Sequence, residues 1–494
     1  MSERLPAPLV VVGDALLDRD LTGTADRLAP DAPVPVVADC LERLRPGGAA
    51  LAAYLAARDG HPVTLVTGLG DDAAARELRA LLEPRVRVIA LPVTGPLPEK
   101  TRLLARHRPV ARVDRGDGRA AGATEEAREA IRSAHAVLVS DYGRGAADAL
   151  RDVLAGRPPE VWDPHPRGAA PVPGTRLVTP AEKEARLFAG SGPGDDLRTV
   201  SRGAAALVRS WHAAAVVVTL GARGALLSYG DNPLLFPAPG AHPGDPCGAG
   251  DRFAATAAGR LADGALVEEA VARAVASATE FVAAGAAGAI GFEPAGEAAA
   301  IGCAPAAGAA DRPSPRGHAR LRDPRKALPA GLDAEDPGTL AEKVRAAGGT
   351  VVAAGGCFDL LHAGHVGLLE EARRLGDCLV VCVNSDTSVR RRKGDGRPVN
   401  PLADRIRVLK ALTCVDAVAV FDEDTPERLL ARLRPDVWVK GGDYAGADLP
   451  EAALLEEWGG QAVLLPYLDG RSSTRLAARA AAAVAAAREP GGPR

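Results

Sequence analysis

Short apolar runs closed by glycine or acidic turns alternate along this chain with longer alanine-rich stretches of helical period. Leu9-Val10-Val11-Val12-Gly13-Asp14 reads as a buried strand ending in a turn, with Asp18 shortly after. Runs at 63–66, 136–139, 160–162, 176–178 and 215–218 read as further strands, with helical patterns between several of them. Pro46-Gly47-Gly48-Ala49-Ala50 opens one alanine-rich helix, and another is expected to begin near Arg252. Residues 27–36 hold too many prolines for a helix. This alternation predicts a mainly parallel sheet covered by helices.

From residue 297 the pattern dissolves into Ala, Pro, Gly and Arg, and it resumes after residue 340. Strands are then expected at 350–354, 378–383, 417–421 and 436–440. The chain of 494 residues is too long for one core. The expected organisation is an α/β domain over 1–296, a linker over 297–340 and a second α/β domain over 341–494, with no internal repeat.

The densest chemistry lies where the strand at 350–354 turns into a helix, at Gly355-Gly356-Cys357-Phe358-Asp359-Leu360-Leu361-His362-Ala363-Gly364-His365. Backbone N–H groups and the positive end of the helix dipole favour an anion there. Ala363 and Gly364 are small enough to let a triphosphate come close, and histidines three apart on the first turn can both face it. Two surface histidines or a metal pair are the alternatives, although Asp359 alone is a thin complement for a metal. Downstream, Arg390-Arg391-Arg392-Lys393-Gly394-Asp395-Gly396-Arg397-Pro398-Val399 reads either as a solvated basic run or as a flexible loop that covers phosphates. Ser472-Ser473-Thr474-Arg475 begins a terminal helix, where hydroxyls serve as caps or as phosphate ligands.

In the first domain the corresponding element is Asp245-Pro246-Cys247-Gly248-Ala249-Gly250-Asp251, which opens the helix near Arg252. Its glycines let backbone N–H groups point at a phosphate, and a carboxylate there can take the proton of an attacking hydroxyl. Thr219-Leu220-Gly221-Ala222-Arg223-Gly224 follows a strand with a glycine turn suited to lie against a nucleotide. Any one such turn is equally an ordinary loop; the ordered set argues for a site.

Composition removes several function classes. Net charge of -3 and 3% aromatic residues give no reason to expect nucleic acid, by charge or by stacking. No apolar run reaches membrane-spanning length and the N-terminus lacks a signal pattern, so a cytoplasmic protein without membrane association is expected. Seven scattered cysteines form no CxxC pair, which fits reduced thiols; Cys378 and Cys382 share one strand face and are expected to pack in a core.

HAGH at 362–365 fits the HxGH signature of the cytidylyltransferase-like nucleotidyltransferases. VVGDALLD, RLAPDAPVPVV, RPGGAA, SDYGRGA, VTPAEKEA and GAGD follow, in order, the heptose kinase subgroup of the ribokinase (PfkB) sugar kinases. Nearly the whole chain resembles the bifunctional heptose-7-phosphate kinase/heptose-1-phosphate adenylyltransferases. The resemblance implies a ribokinase-like domain followed by a Rossmann-like nucleotidyltransferase domain, with ATP as substrate and Mg²⁺ as cofactor.

It further implies Asp251 as the base, an anion hole at Gly248, Ala249 and Gly250, and nucleotide contacts at Thr219, Gly221 and Gly224. Asp14, Gly47, Gly48 and Lys100 would surround the sugar phosphate, and Glu184 would act on the metal indirectly. In the second domain His362, His365 and Lys393 would stabilise transition-state charge. Gly356, Phe358, Asp386, Arg397, Ser472, Ser473 and Thr474 would bind nucleotide or phosphate. Sugar phosphates and nucleoside triphosphates are the implied partners, a separate phosphatase would act between the two steps, and a homodimer is expected.

Five positions depart from the family pattern: Leu51 and Gly355 stand where Asn is usual, and Ala181 replaces the Asn of NxxE. His165 stands for Lys, and Arg252 for a small residue. The losses at Leu51 and Ala181 motivate a second reading, in which the kinase half is a degenerate scaffold or sugar-phosphate sensor; the intact GAGD motif argues against it. A third reading, a nucleotide-responsive binding module, has the intact HAGH and KGDGRPV stretches against it.

Overall fold

The computed structural model describes residues 5–105, 108–191, 196–240, 245–290, 336–442 and 449–466. It divides into two compact units, one containing Met1–Phe188, Leu207–Arg223 and the segment from Ala238, the other Ala189–Ala206, Gly224–Pro237 and the segment from Arg322.

In the first unit the strands lie in the order Val216–Thr219, Leu177–Val178, Val161–Asp163, Ala136–Ser140, Leu9–Gly13, Val63–Gly68 and Val86–Leu91. All neighbouring pairs among them are parallel, and Leu9 is in register with both Ala136 and Val63. Leu9–Gly13 and Ala136–Ser140 are buried at every position, as parallel strands covered on both faces must be. Connections leave Leu9–Gly13 in opposite directions: the chain goes first to Val63–Gly68, and later returns on the other side at Ala136–Ser140. That reversal leaves a crevice beyond the carboxyl ends of these two strands, where open α/β sheets bind ligands.

A second sheet covers this region, in the order Pro35–Gly48, Ala15–Leu28, Glu99–Ala105 and Arg108–Arg115. The prolines of residues 27–36 do exclude a helix, but they sit around the turn of a long hairpin that alternation alone did not reveal. Arg108–Arg115 is exposed at every position, so it carries no buried stripe to read.

In the second unit the order is Ala417–Phe421, Cys378–Asn384, Val351–Gly356, Val437–Gly442 and Gln461–Pro466, again all parallel. Here the direction of winding reverses between Val351–Gly356 and Val437–Gly442. HAGH begins a helix, Ala363–Arg374, directly beyond the first of these strands. Cys378 and Cys382 are both buried, as their shared face predicts. The helix Pro337–Ala346, capped by the Asp336 side chain, already begins inside the stretch read as linker.

The basic run is a correction to the sequence reading. Arg390, Arg391, Arg392 and Lys393 form the last turn of a helix, Asp386–Lys393, and only from Gly394, at φ 85°, does the chain become a loop. Cations are favourable at a helix C-terminus, so part of this run serves the helix.

Candidate active sites

The crevice of the first unit is built on Asp14. Its carboxylate accepts the backbone N–H groups of Tyr142 (3.0 Å), Arg144 (2.8 Å) and Ala146 (3.1 Å). It thereby ties the end of one switch-point strand to the loop that follows the other. Gly48, at φ 59°, brings the next backbone against this turn; a Cβ there would lie 2.6 Å from the Asp14 carbonyl oxygen. At Gly47 a Cβ would come within 2.9 Å of Asp18 Oδ2. Beside Asp14 runs a cleft lined by Gly68, Gly70, Gly95, Arg119 and Arg144. Its arginines were not singled out from the sequence, because isolated arginines carry no spacing signal.

The helix Ala249–Ala262 points its N-terminus into the same region. Gly248 caps it at φ 82°, which a side chain would resist, while a Cβ at Gly250 would meet nothing within 4 Å. The turn therefore has room for an anion on its backbone N–H groups. Asp251, on the first turn, is 7% exposed and accepts a hydrogen bond from the Tyr142 hydroxyl at 2.9 Å. Burial pushes its carboxyl up to about 7, against the opposing effects of Tyr142, Lys100 and Arg45. Lys100 Nζ lies 5.6 Å from the Tyr142 ring centroid. Tyr142 thus links Asp14, Gly48, Lys100 and Asp251, and the sequence reading had passed over it as part of a motif.

Thr219 ends its strand, and Gly221, at φ 60°, opens a short turn to Arg223 with no atom within 4 Å of its would-be Cβ. Gly224 follows at φ 95°. Glu184 accepts the Ala181 N–H at 2.8 Å, and burial raises its carboxyl. Asp163, whose carboxyl is pushed well up by burial and by Asp251, accepts the Thr179 hydroxyl at 2.8 Å.

Three departures from the family pattern have local structural accounts. Arg252 sends its guanidinium to Ser277 (2.6 Å) and Asp59 (2.8 Å). Leu51 is buried against Gly248: a Cβ on that glycine would be 2.7 Å from Leu51 Cδ2. His165 stacks on Tyr142 with ring centroids 5.8 Å apart, and burial together with Arg167 and Lys100 lowers its proton affinity.

In the second unit His362 is the N-cap of Ala363–Arg374. Its Nδ1 accepts the Gly364 N–H at 3.2 Å, which puts the ring proton on Nε2. His365 lies one turn on, with its ring centroid 4.0 Å from that of His362 and 5.4 Å from that of Phe358. Burial, then His362 and Lys393, pushes His365 down to about 4, so it is neutral at physiological pH. Phe358 adopts φ 45°, an unusual conformation for a bulky residue, and a Cβ at Gly356 would come within 3.1 Å of its ring. Gly356 and Phe358 therefore set the position of His365.

Asp359 and Arg405 hold the rest of the site together, and neither was assigned a role from sequence. The buried Asp359 carboxylate accepts the N–H groups of Val399 (2.7 Å) and Asn400 (3.0 Å), and pairs with Arg397 Nε at 2.7 Å. Arg397 is thus bound to the fold as well as placed beside HAGH. Arg405 donates to the carbonyls of Cys357 (2.7 Å) and Asn384 (2.9 Å) and to Asp386 (2.6 Å). Asp386 is accordingly anchored at the start of its helix. Lys393 is exposed at the end of that helix. Ser472, Ser473 and Thr474 lie outside the described residues. The departure at Gly355 has a partner: a Cβ there would run into Trp438, 2.7 Å from its Cζ2.

Residues 353–464 match the cytidylyltransferase-like family, and residues 157–293 the pfkB family of carbohydrate kinases. A bifunctional protein HldE of Streptomyces coelicolor is 71% identical over 96% of this chain and 96% of its own length. The chain belongs to the HldE family. HldE proteins of Azorhizobium caulinodans and Salmonella dublin are 36% and 37% identical, over 97% and 95% of this chain and 99% and 96% of their own. As an HldE-family enzyme the chain is a carbohydrate kinase and a nucleotidyltransferase, with ATP as a substrate. The kinase match includes Thr219, Glu184 and Asp251. Asp14, Gly47, Gly48 and Lys100 precede it, within the stretch shared with the HldE relatives.

Proposed function

We propose that the first domain transfers the γ-phosphoryl group of ATP to the anomeric hydroxyl of a heptose 7-phosphate, and that the second joins the resulting heptose 1-phosphate to an adenylyl group. The observation that carries the first step is Asp251, buried at the open N-terminus of Ala249–Ala262 with a carboxyl near neutrality. The sugar O1 attacks the γ-phosphorus, its proton passes to Asp251, and the bond to ADP breaks. Backbone N–H groups at Gly248 and Gly250 are assigned to the charge that develops, with Ala249 between them, whose N–H donates to the Pro246 carbonyl at 3.0 Å before substrate binds. Asp14, Gly47, Gly48 and Lys100 surround the sugar phosphate, and the turn at Thr219, Gly221 and Gly224 lies against the nucleotide.

Magnesium is held by one or two carboxylates together with substrate phosphates and water. Glu184, a half-buried carboxylate already oriented by the Ala181 N–H, would act on the ion indirectly rather than as one of those ligands. When bound, Mg²⁺ would neutralise phosphate charge.

In the second step an oxygen of the sugar 1-phosphate attacks the α-phosphorus and pyrophosphate leaves, without a side-chain nucleophile. His362, through its Nε2–H, together with His365 and Lys393, stabilises the charge that grows on the phosphates. Gly356, Phe358, Asp386 and Arg397 shape the nucleotide site, and Ser472, Ser473 and Thr474, outside the described residues, are assigned to phosphate binding by the family pattern. A separate phosphatase removes the 7-phosphate between the steps. The protein works in the cytoplasm as a homodimer. Exposed Leu28, Leu41, Val110 and Val113 on the covering sheet offer apolar surface for the partner. Among the described residues no helix is long and apolar enough to cross a membrane.

The test separates the halves. Asp251→Asn should abolish sugar phosphorylation and leave nucleotidyl transfer from supplied sugar 1-phosphate intact; His362→Ala should do the reverse. Products from heptose 7-phosphate, a matching phosphatase and each nucleoside triphosphate, read by mass spectrometry, check the substrates. Equal loss of both activities in a folded single variant would refute the division of labour.

A further inference from the structure

We infer that Tyr142 is a positioning residue of the kinase half: its hydroxyl orients the Asp251 carboxylate and sets the pH at which that carboxylate can accept the sugar proton. This rests on the reading of Asp251 as the base. The hydroxyl donates to Asp251 Oδ1 at 2.9 Å, which leaves the other oxygen, Oδ2, to accept the sugar proton.

The phenol is fixed on several sides. Its backbone N–H donates to Asp14 Oδ2, its ring stacks on His165 at 25° between planes, and Lys100 approaches its face. A Cβ on Gly48 would lie 3.3 Å from ring Cε2, so the ring edge rests against the glycine pair. An element of the sugar crevice therefore fixes the orientation of the base.

The electrostatics agree in sign. Around Asp251 stand Asp18 and Arg45 from the covering sheet, Lys100 from its neighbouring strand, Asp163 from the central sheet, and Tyr142. Burial and Asp18 favour the neutral acid; Tyr142, Lys100 and Arg45 favour the carboxylate. A donor to the charged form lowers a carboxyl pKa, and removing it raises that pKa. Burial, reinforced by Asp251 and Asp163, pushes the phenol well above its ordinary value, so it stays a donor across the working range.

The test is the pH profile of sugar phosphorylation by the full chain carrying Tyr142→Phe, which keeps the stacked ring. The acid limb of kcat/KM should move up by about one pH unit. Activity should fall about fivefold at pH 7 and recover by pH 9, with the KM for sugar phosphate and nucleotidyl transfer unchanged. A loss that is uniform across pH, or no shift of the limb, overturns the inference. If that variant fails to fold, 3-fluorotyrosine placed at position 142 keeps the shape and donates more strongly. The limb should then move to lower pH, and an unmoved limb is again fatal. Asp251→Asn assayed alongside distinguishes the two failures. A still-active Asn variant removes the base assignment, whereas an inactive one beside an unmoved Tyr142→Phe profile removes only the tyrosine's role.

Discussion

Gly355 stands where the family pattern has asparagine, and the structure offers a reason in Trp438. The two residues lie on neighbouring parallel strands, with Ala353 in register with Trp438. The indole is 1% exposed and covers Gly355. A Cβ at position 355 would sit 2.7 Å from Cζ2, with Cη2 closer still. Carbon atoms at rest are about 3.5–4.0 Å apart, so Gly355→Ala requires a movement of roughly 1 Å in a ring gripped by the sheet. Overpacking of a filled core costs about 1–3 kcal/mol, and the rigid ring puts this case at the upper end. Trp438→Leu alone removes a buried ring and should cost about 3 kcal/mol. The double variant should cost less than the sum of the two, because the smaller side chain frees the space the new methyl needs. The midpoint of urea-induced loss of nucleotidyl transfer, measured for all four proteins in the full chain, gives the coupling. Strict additivity, or a Gly355→Ala protein as stable as the parent, would refute the argument that Trp438 is what demands glycine.

Three further predictions concern Asp251 and His365. Asp251 has a folded-state value near 7, above about 3.9 in an unfolded chain. Its contribution to stability is therefore full below about pH 4 and is lost as pH rises through 7, by an amount on the order of 4 kcal/mol. Asp251→Asn should raise the melting temperature of the kinase unit at pH 8 and little at pH 5; a pH-independent difference would contradict the burial argument. His365 shifts the opposite way, to about 4 from about 6.5 unfolded, so the fold should lose stability as pH falls from 6.5 to 4. His365→Gln should flatten that loss in acid melting curves. His365→Ala should lower kcat for nucleotidyl transfer by about 10²–10³ with little change in KM. A destabilised protein with near-normal kcat would return His365 to the core.

What the sequence could disclose follows from which interactions leave a local trace. The central strands were legible because parallel strands covered on both faces must be apolar throughout, as Leu9–Gly13 and Cys378–Asn384 are. The covering sheet was not, since strands such as Arg108–Arg115 have no buried stripe, and the pairing that joins its two hairpins sets Leu17 beside Glu99, far along the chain. Within the sites, glycines at positive φ and the HAGH and GAGD turns were legible for the same local reason: one short segment makes the whole cradle. Tyr142, Asp359 and Arg405 act across distance, from 142 to 251, from 359 to 399 and from 405 to 357. No spacing rule connects such pairs. Asp14 is the instructive case, because its position was expected and its partners were not. The carboxylate that the family pattern assigns to the sugar is held by three backbone N–H groups of the loop carrying Tyr142. Loss of Asp14 should therefore disturb the base through that loop as well as the sugar contact. A change in the acid limb of the kinase pH profile in Asp14→Asn, beyond any rise in the sugar's KM, is the measurement that tells the two effects apart.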